Sequence, residues 1–293
     1  MSGIGCIAAV VLNYKTWEDA VNCVNDLKAQ DYPEKHIVVV ENGSGNDSAE
    51  QLKKRFDNDP LVTVLVSETN LGFAKGNNLG IRYAHEKLGC DTVFVVNSDI
   101  RAPKTLFTVI AAADTAGIGA VSPSVNCPDG ARQCFSVNSD DAEKLARRTV
   151  VNLIKANIAA LPVVRKLYRS KSRTAEEIDT ETPLKYVLYG CSYFLTPDFF
   201  KHYSRLYPKT FLYWEEVNLM LMLRRAGLGT LYIETEPLVH LGGSSTRAIA
   251  NVNFERFRLK QSNRSMRRSL GLILGKNEKR INKVLLSERA NRL

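Results

Sequence analysis

Apolar, β-branched runs at 7–12, 37–40 and 93–96 each stop abruptly at polar residues. They lead into Asn13-Tyr14, Glu41-Asn42-Gly43-Ser44 and Asn97-Ser98-Asp99 respectively. Runs of this kind read as strands buried on both faces. With a further apolar run, strands are expected near 7–12, 37–41, 61–66 and 92–97, and helical spacing falls near 17–30, 47–56, 73–88 and 103–115. Regular alternation of strand and helix specifies an α/β sheet covered by helices on both faces. Thr16 and Asp19 have capping-box spacing ahead of the first helix.

The later chain is less regular. Residues 122–140, rich in Ser, Asn, Pro and Gly, read as an irregular loop, and 141–170 as a helix or helix pair broken by Pro162. A strand is expected near 187–195, then a helix opened by Thr196 and Pro197. Residues 215–226 read as a helix with Gly227 just past its end.

The polar strand ends carry the chemistry. Open α/β sheets bind ligands outside the carboxyl ends of their strands, so Asn13, Glu41, Asn42, Asn97 and Asp99 would meet at one edge. Asp99 can hold a divalent metal that bridges phosphates, or it can cap the helix that follows. In the stretch from Asn70 to Gly80, glycines let backbone approach a ligand, and amides offer hydrogen bonds to ribose or phosphate. Asn77 and Asn78 in that stretch also suit a helix start. Glu215 and Glu216 open a helix, where the dipole favours carboxylates in any case. They also follow Phe211, Leu212, Tyr213 and Trp214, an apolar wall that would raise a carboxyl pKa toward the range of a general base. His240 closes an apolar, strand-like stretch and is either a structural hydrogen-bonder or a metal ligand.

Charge separates the chain into parts. The formal net charge of +9 is matched by residues after 253 alone, where twelve Lys/Arg face three Asp/Glu. Residues 141–175 add nine basic against two acidic residues, so the remaining body is acidic. Basicity outside the pocket argues against a nucleic-acid groove through the fold and for surfaces facing something anionic, such as a membrane. The tail sets Leu270, Leu272, Ile273, Leu274, Ile281, Val284, Leu285 and Leu286 among these cations, a pattern that suits a membrane interface or packing against the body. Six scattered cysteines, without a C-x-x-C pair, read as reduced thiols. No apolar run reaches the length of a membrane span, and no leader precedes the first strand. A dinucleotide oxidoreductase would need G-x-G-x-x-G after the first strand, and it is absent.

Seven motifs, in order and spacing, carry a resemblance over roughly residues 5–250. They are Val-Leu-Asn-Tyr at 11–14, Glu-Asn-Gly-Ser at 41–44, the Asn70 to Gly80 stretch and Asn-Ser-Asp at 97–99. Tyr-Gly-Cys-Ser at 189–192, Trp-Glu-Glu-Val-Asn-Leu at 214–219 and His-Leu-Gly-Gly-Ser-Ser at 240–245 complete the set. The chain resembles family 2 glycosyltransferases of the GT-A fold, in particular bacterial rhamnosyltransferase-like enzymes of surface polysaccharide synthesis. The resemblance implies a mixed, mostly parallel sheet flanked by helices. It implies a catalytic domain over 1–253 with a basic helical insertion at 141–183, and a basic amphipathic tail over 254–293.

By the same resemblance, Asn13, Glu41, Asn42, Asn70, Gly72, Phe73, Asn77, Asn78, Asn97 and Asp99 would bind a nucleotide-diphosphate sugar. Asp99 and His240 would hold Mg2+ or Mn2+, and Glu216, with Glu215 beside it, would be the base of an inverting transfer. Glu41 and Asn97 stand where relatives often carry Asp, and Asn218 replaces a frequent acid. The donor expected first is dTDP-L-rhamnose, then a UDP-hexose. The acceptor expected is a lipid-linked glycan, and the location the cytoplasmic face of the cell membrane. The oligomeric state is left open. A sugar-nucleotidyltransferase, or a membrane-attached scaffold with a degenerate pocket, are the alternatives.

Overall fold

The computed structural model describes residues 4–132, 136–137, 151, 186–242, 254–273 and 281. Strands and helices alternate as the periodicity requires: β1 (Ile7–Asn13), α1 (Trp17–Lys28), β2 (Lys35–Asn42), α2 (Ser48–Phe56), β3 (Val62–Ser67) and α3 (Phe73–Arg82). A five-residue π-helical turn, Tyr83–Lys87, extends α3. Then come β4 (Thr92–Asn97), β5 (Ile100–Arg101), α4 (Leu106–Ala111), β6 (Ile118–Asn126), β7 (Ser136–Val137), β8 (Tyr186–Val187) and β9 (Ser192–Leu195). The last elements are α5 (Pro197–Phe200), α6 (Glu215–Arg225), β10 (Gly229–His240) and α7 (Phe254–Ile273).

Eight strands form one mixed sheet in the order β3-β2-β1-β4-β9-β6-β10-β5. The half built from β3, β2, β1 and β4 is parallel throughout. β9 enters antiparallel between β4 and β6, while β10 runs parallel to β6. The carboxyl ends of β1, β2 and β4 therefore share one edge, carrying Asn13, Glu41 and Asn97. Alternate residues of each strand face two apolar layers. Val10, Val38, Val40 and Val95 pack on the α3 and α6 side, and Val11, Val39, Phe94 and Val96 on the other. In the second layer Phe94 stacks on Phe194 at 4.1 Å, with Phe107 edge-on to both at 6.0 Å.

Several expectations are corrected. Residues 118–126 form a buried strand, although 122–126 were expected within an irregular loop. Its polar groups are satisfied inside the sheet: Ser124 shares a hydrogen bond with the Tyr232 hydroxyl at 2.7 Å and accepts one from the Thr235 amide at 3.1 Å. Only Ser192–Leu195 of the expected 187–195 strand is extended in the main sheet, and α4 is shorter than 103–115. Thr16 makes no side-chain cap, whereas Thr196 does, accepting from the Phe199 amide. Cys6 and Cys90 are joined as a disulfide with Cα atoms 4.7 Å apart, while Cys23 and Cys191 are buried free thiols. Apart from Val151, the insertion expected at 141–183 lies outside the described residues. So do Gly243, Ser244 and Ser245, and Leu274, Val284, Leu285 and Leu286.

The described part of the tail packs on the body. Met266, Leu272, Ile273 and Ile281 are buried, the last three within the main apolar layer. Tyr207 donates to the Arg268 carbonyl, Arg225 to that of Leu272, and Ser265 to that of Leu212. Burying each large aliphatic side chain is worth about 1.5–3 kcal/mol. Cutting the chain near Asn263 would thus remove a sizeable share of a typical total of about 5–15 kcal/mol. Among the described residues no helix is long and apolar enough to cross a membrane.

Candidate active site

The donor edge is built by short-range ties between strand ends. Glu41 is buried, and its carboxylate accepts from Asn13 Nδ2 at 2.8 Å and from the Ser44 amide and hydroxyl at 2.6 Å each. Ser44 also accepts from the Lys15 amide at 2.8 Å, which binds the β1 exit to the β2 exit. Asn42 donates to Asn70 Oδ1 and to the Gly72 carbonyl, and accepts from the Leu71 amide at 3.0 Å. Asn70 in turn accepts from the Gly72 amide at 2.9 Å.

Gly72 has φ +80, and an added Cβ would lie 2.3 Å from the Phe211 carbonyl oxygen. Only glycine takes that conformation at that distance. The Phe73 amide donates to the same carbonyl at 2.7 Å. The glycine-rich loop is thereby held against the segment that leads into the acidic pair.

Two side chains expected at the donor have partners within the fold. Asn78 clamps Leu206, donating to its carbonyl at 2.9 Å and accepting from its amide at 2.7 Å. Asn42 likewise has both polar ends engaged within the fold. Asn13 and Asn77 are fully buried, and Asn77 donates to the Phe73 carbonyl. Their Oδ1 atoms have no hydrogen-bond partner among the described residues. The half-buried Asn97 amide donates to the Cys191 carbonyl at 2.9 Å, fixing the 189–191 segment beside the mouth of β4.

Asp99 and His240, 141 positions apart, meet because β10 returns antiparallel to β5, pairing His240 with Ile100. The Leu241 amide donates to the Asp99 carbonyl at 3.0 Å, and His240 Nε2 lies 3.4 Å from Asp99 Oδ1. Both side chains are largely enclosed, 12% exposed for His240 and 5% for Asp99. Among the described residues no three His, Cys, Asp or Glu side chains cluster as a metal cage. A carboxylate and an imidazole suit Mn2+ or Mg2+ that takes its other ligands from water and phosphate. The donor set therefore fits a cation shared with a diphosphate.

The acidic pair follows a strained approach. Tyr213 (φ 70) and Trp214 (φ 75) are two consecutive non-glycine residues in the left-handed region. Such conformations cost on the order of 1–3 kcal/mol each and cluster at functional sites. They aim α6 so that its first two residues differ in environment. Glu215 is buried; desolvation and then the neighbouring Glu216 push its carboxyl up to about 8. Glu216 is also raised, by desolvation.

Glu216 borders Gly190: a Cβ built there would lie 3.4 Å from its Oε2. Asn218, one turn beyond Glu215, is buried with neither side-chain polar atom partnered among the described residues, and Glu215 Oε1 is also unpartnered. Groups of this kind are commonly satisfied by enclosed water.

Sequence reasoning singled out Tyr-Gly-Cys-Ser at 189–192 but gave it no role. In the structure Tyr189 stands edge-to-face against His240, ring centroids 6.1 Å apart. Its pairing could not be read from spacing, because His240 arrives from another strand.

The sequence is 22% identical over 238 residues to the low-salt glycan biosynthesis hexosyltransferase Agl10 of Haloferax volcanii, covering 80% of this chain and 66% of that protein. The fold superposes on S. aureus TarS 1-349 in complex with UDP with a TM-score of 0.53, 15% identity, and coverage of 97% of this chain and 75% of that one. The mannosyltransferase PcManGT from Pyrobaculum calidifontis, in complex with GDP-Man and Mn2+, gives a TM-score of 0.51 at 14% identity, covering 98% of this chain and 76% of that one. The chain spans 40% of a longer TarS structure. These likenesses establish a GT-A-like α/β fold. The family model described as Glycosyl transferase family 2 matches residues 8–169, more than half of the chain, and the chain belongs to that family.

Proposed function

We propose that this chain transfers a hexosyl unit from a nucleoside-diphosphate sugar to a hydroxyl of a glycan acceptor, with inversion at the anomeric carbon. One observation carries the reading. The Asp99 and His240 pair and the Glu216 carboxylate flank the same two residues, Tyr189 and Gly190, beside the polar ends of β1, β2 and β4.

In this reading Glu216 takes the proton from the acceptor hydroxyl. The acceptor oxygen forms its bond to the anomeric carbon as the bond to the diphosphate breaks, and the electron pair leaves with the phosphate. Attack from the face opposite the leaving group inverts the centre. Asp99 and His240 would hold Mg2+ or Mn2+, which supplies positive charge for the departing diphosphate. Glu215, with its carboxyl raised to about 8, keeps its proton at neutral pH and leaves the negative charge to Glu216.

The likeness to a hexosyltransferase and to nucleotide-bound folds supports UDP-hexoses beside dTDP-L-rhamnose as donors. A panel of dTDP-rhamnose, UDP-glucose, UDP-GlcNAc and GDP-mannose, each with Mn2+ or Mg2+, should raise the melting temperature for at least one donor. A ligand that binds only the folded state at a hundred times its Kd adds about 2.7 kcal/mol. Donor hydrolysis in the same samples separates an enzyme from a scaffold. No shift with any nucleotide would remove the donor pocket.

The second element of the proposal is a docking face. Lys260, Arg264, Arg267 and Arg268 are exposed along one side of α7, while Ser265, Met266, Ser269, Leu272 and Ile273 are buried on the other. Each cation near an anionic bilayer contributes about 1 kcal/mol. We assign this face to the inner membrane surface, where a lipid-linked acceptor would be presented. Charge reversal of Lys260, Arg264 and Arg267 to Glu should abolish co-sedimentation with phosphatidylglycerol vesicles at low salt and leave the melting temperature nearly unchanged. Wild-type protein that stays in the supernatant at low salt would remove the membrane assignment.

A further inference from the structure

A transfer site needs a seat for the sugar between the leaving diphosphate and the base. Tyr189 borders His240, and Gly190 borders Glu216. Tyr189 packs edge-to-face on His240, whose imidazole is 3.4 Å from Asp99. A Cβ built at Gly190, the next residue, would stand in van der Waals contact with Glu216, 3.4 Å from Oε2 and 3.9 Å from Cδ. The segment is anchored by the hydrogen bond from the Asn97 amide to the Cys191 carbonyl.

Tyr189 and Gly190 are only half-buried, unlike Cys191, Ser192 and Tyr193 that follow.

We propose that Tyr189 is a specificity-determining contact for the pyranosyl unit of the donor, and that Gly190 keeps the approach to Glu216 open for the acceptor hydroxyl. The inference rests on the donor-site reading above. Its chemistry is that of carbohydrate recognition: an aromatic ring offers an apolar surface to the C–H face of a pyranose, and the phenol offers a hydrogen bond to a ring hydroxyl. A side chain larger than hydrogen at position 190 would lie against the base carboxylate on the side from which the acceptor arrives. No bond is made or broken by either residue. Tyr189 positions the sugar, and Gly190 leaves space.

The test separates sugar from nucleotide. Isothermal titration of the full chain with UDP, GDP and dTDP, then with UDP-glucose, UDP-GlcNAc, GDP-mannose and dTDP-rhamnose, all with Mn2+, gives the affinity contributed by the sugar in each case. Tyr189→Ala should weaken binding of the preferred sugar nucleotide about tenfold, the scale of one lost aromatic contact. Binding of the bare diphosphate should stay within about twofold. Tyr189→Phe should restore most of the sugar affinity, and Tyr189→Leu stands in where the alanine variant fails to fold.

Gly190→Ala should keep the donor Kd within about twofold and lower turnover more than tenfold. Equal losses for diphosphate and sugar nucleotide in both the Ala and Leu variants would make Tyr189 structural and overturn the proposal. Unchanged sugar affinity in Tyr189→Ala, or unchanged turnover in Gly190→Ala, would do the same. Wild-type protein that binds no diphosphate removes the donor-site reading, and this inference falls with it.

Discussion

Glu216→Gln should lower donor turnover by at least about a hundredfold, the usual scale for a lost general base, while the donor Kd changes less than about threefold. Gln keeps the size and hydrogen-bonding reach of Glu but cannot accept a proton. The outcome follows from the environments of the two acids. Burial disfavours the ionised form of both, and two adjacent carboxylates do not ionise together readily. The more enclosed one, Glu215, is pushed to about 8. Glu216 lies against the open Gly190 position, so it carries the charge and faces the acceptor. Its raised carboxyl places the acid limb of the rate profile above the ordinary value of 4.5. Single-turnover rates from pH 5 to 9 check this, and near-normal rates in Glu216→Gln would remove it from the mechanism.

Glu215→Gln supplies the matching control through stability. The folded state holds the Glu215 proton more tightly than the unfolded chain between 4.5 and about 8. Its stabilising contribution is therefore complete below 4.5 and is lost as pH rises through about 8. Melting temperature of the wild type should decline over that window. The Gln variant, with no charge to bury, should be flatter and more stable at pH 9. A wild-type curve that rises from pH 5 to 8 would contradict the raised carboxyl.

Residues 7–97 were legible because their period is strong and local. Fully apolar runs such as Val38, Val39 and Val40 admit one role, and the polar residues that stop them mark the strand ends. β6 was hidden for the opposite reason. Ser122, Pro123 and Ser124 read as a loop, and the groups that make a strand of them, Tyr232 and Thr235, lie more than a hundred residues away. The tail left two roles open for the same reason. Its cations and leucines fit a membrane face, but only the structure shows Leu272 and Ile273 filling the core beneath α6.

At the site, motif order named the acids and the polar tips, but not which amides were already engaged. Asn42 and Asn78 left this open in sequence because asparagine suits both ligand and backbone. The Leu206 and Leu71 amides that they satisfy are non-local partners. Tyr189 went unassigned because its meaning depends on where His240 and Glu216 arrive.

Asp99→Ala should abolish detectable transfer and donor hydrolysis, and excess EDTA should do the same to the wild type, with recovery on adding Mn2+. Asp99 stands just past β4, braced by the end of β10. Its own carbonyl accepts from the Leu241 amide, and His240 Nε2 lies 3.4 Å from its Oδ1. Asp99 is thus pre-positioned before any ligand arrives, and removing it leaves one protein ligand where a shared cation would need two. His240→Ala should be milder, roughly tenfold to a hundredfold, in the range seen when a metal site loses one supporting group. It should also narrow the preference for Mn2+ over Mg2+, because an imidazole donor favours the transition metal. Rates in both metals, together with Mn2+ affinity measured by electron paramagnetic resonance in the presence of UDP, distinguish loss of the cation from loss of fold. Full activity in EDTA would show that the site works without a divalent ion. An unchanged metal profile in His240→Ala would make the imidazole a hydrogen-bonding brace for Asp99 and a partner for the Tyr189 ring.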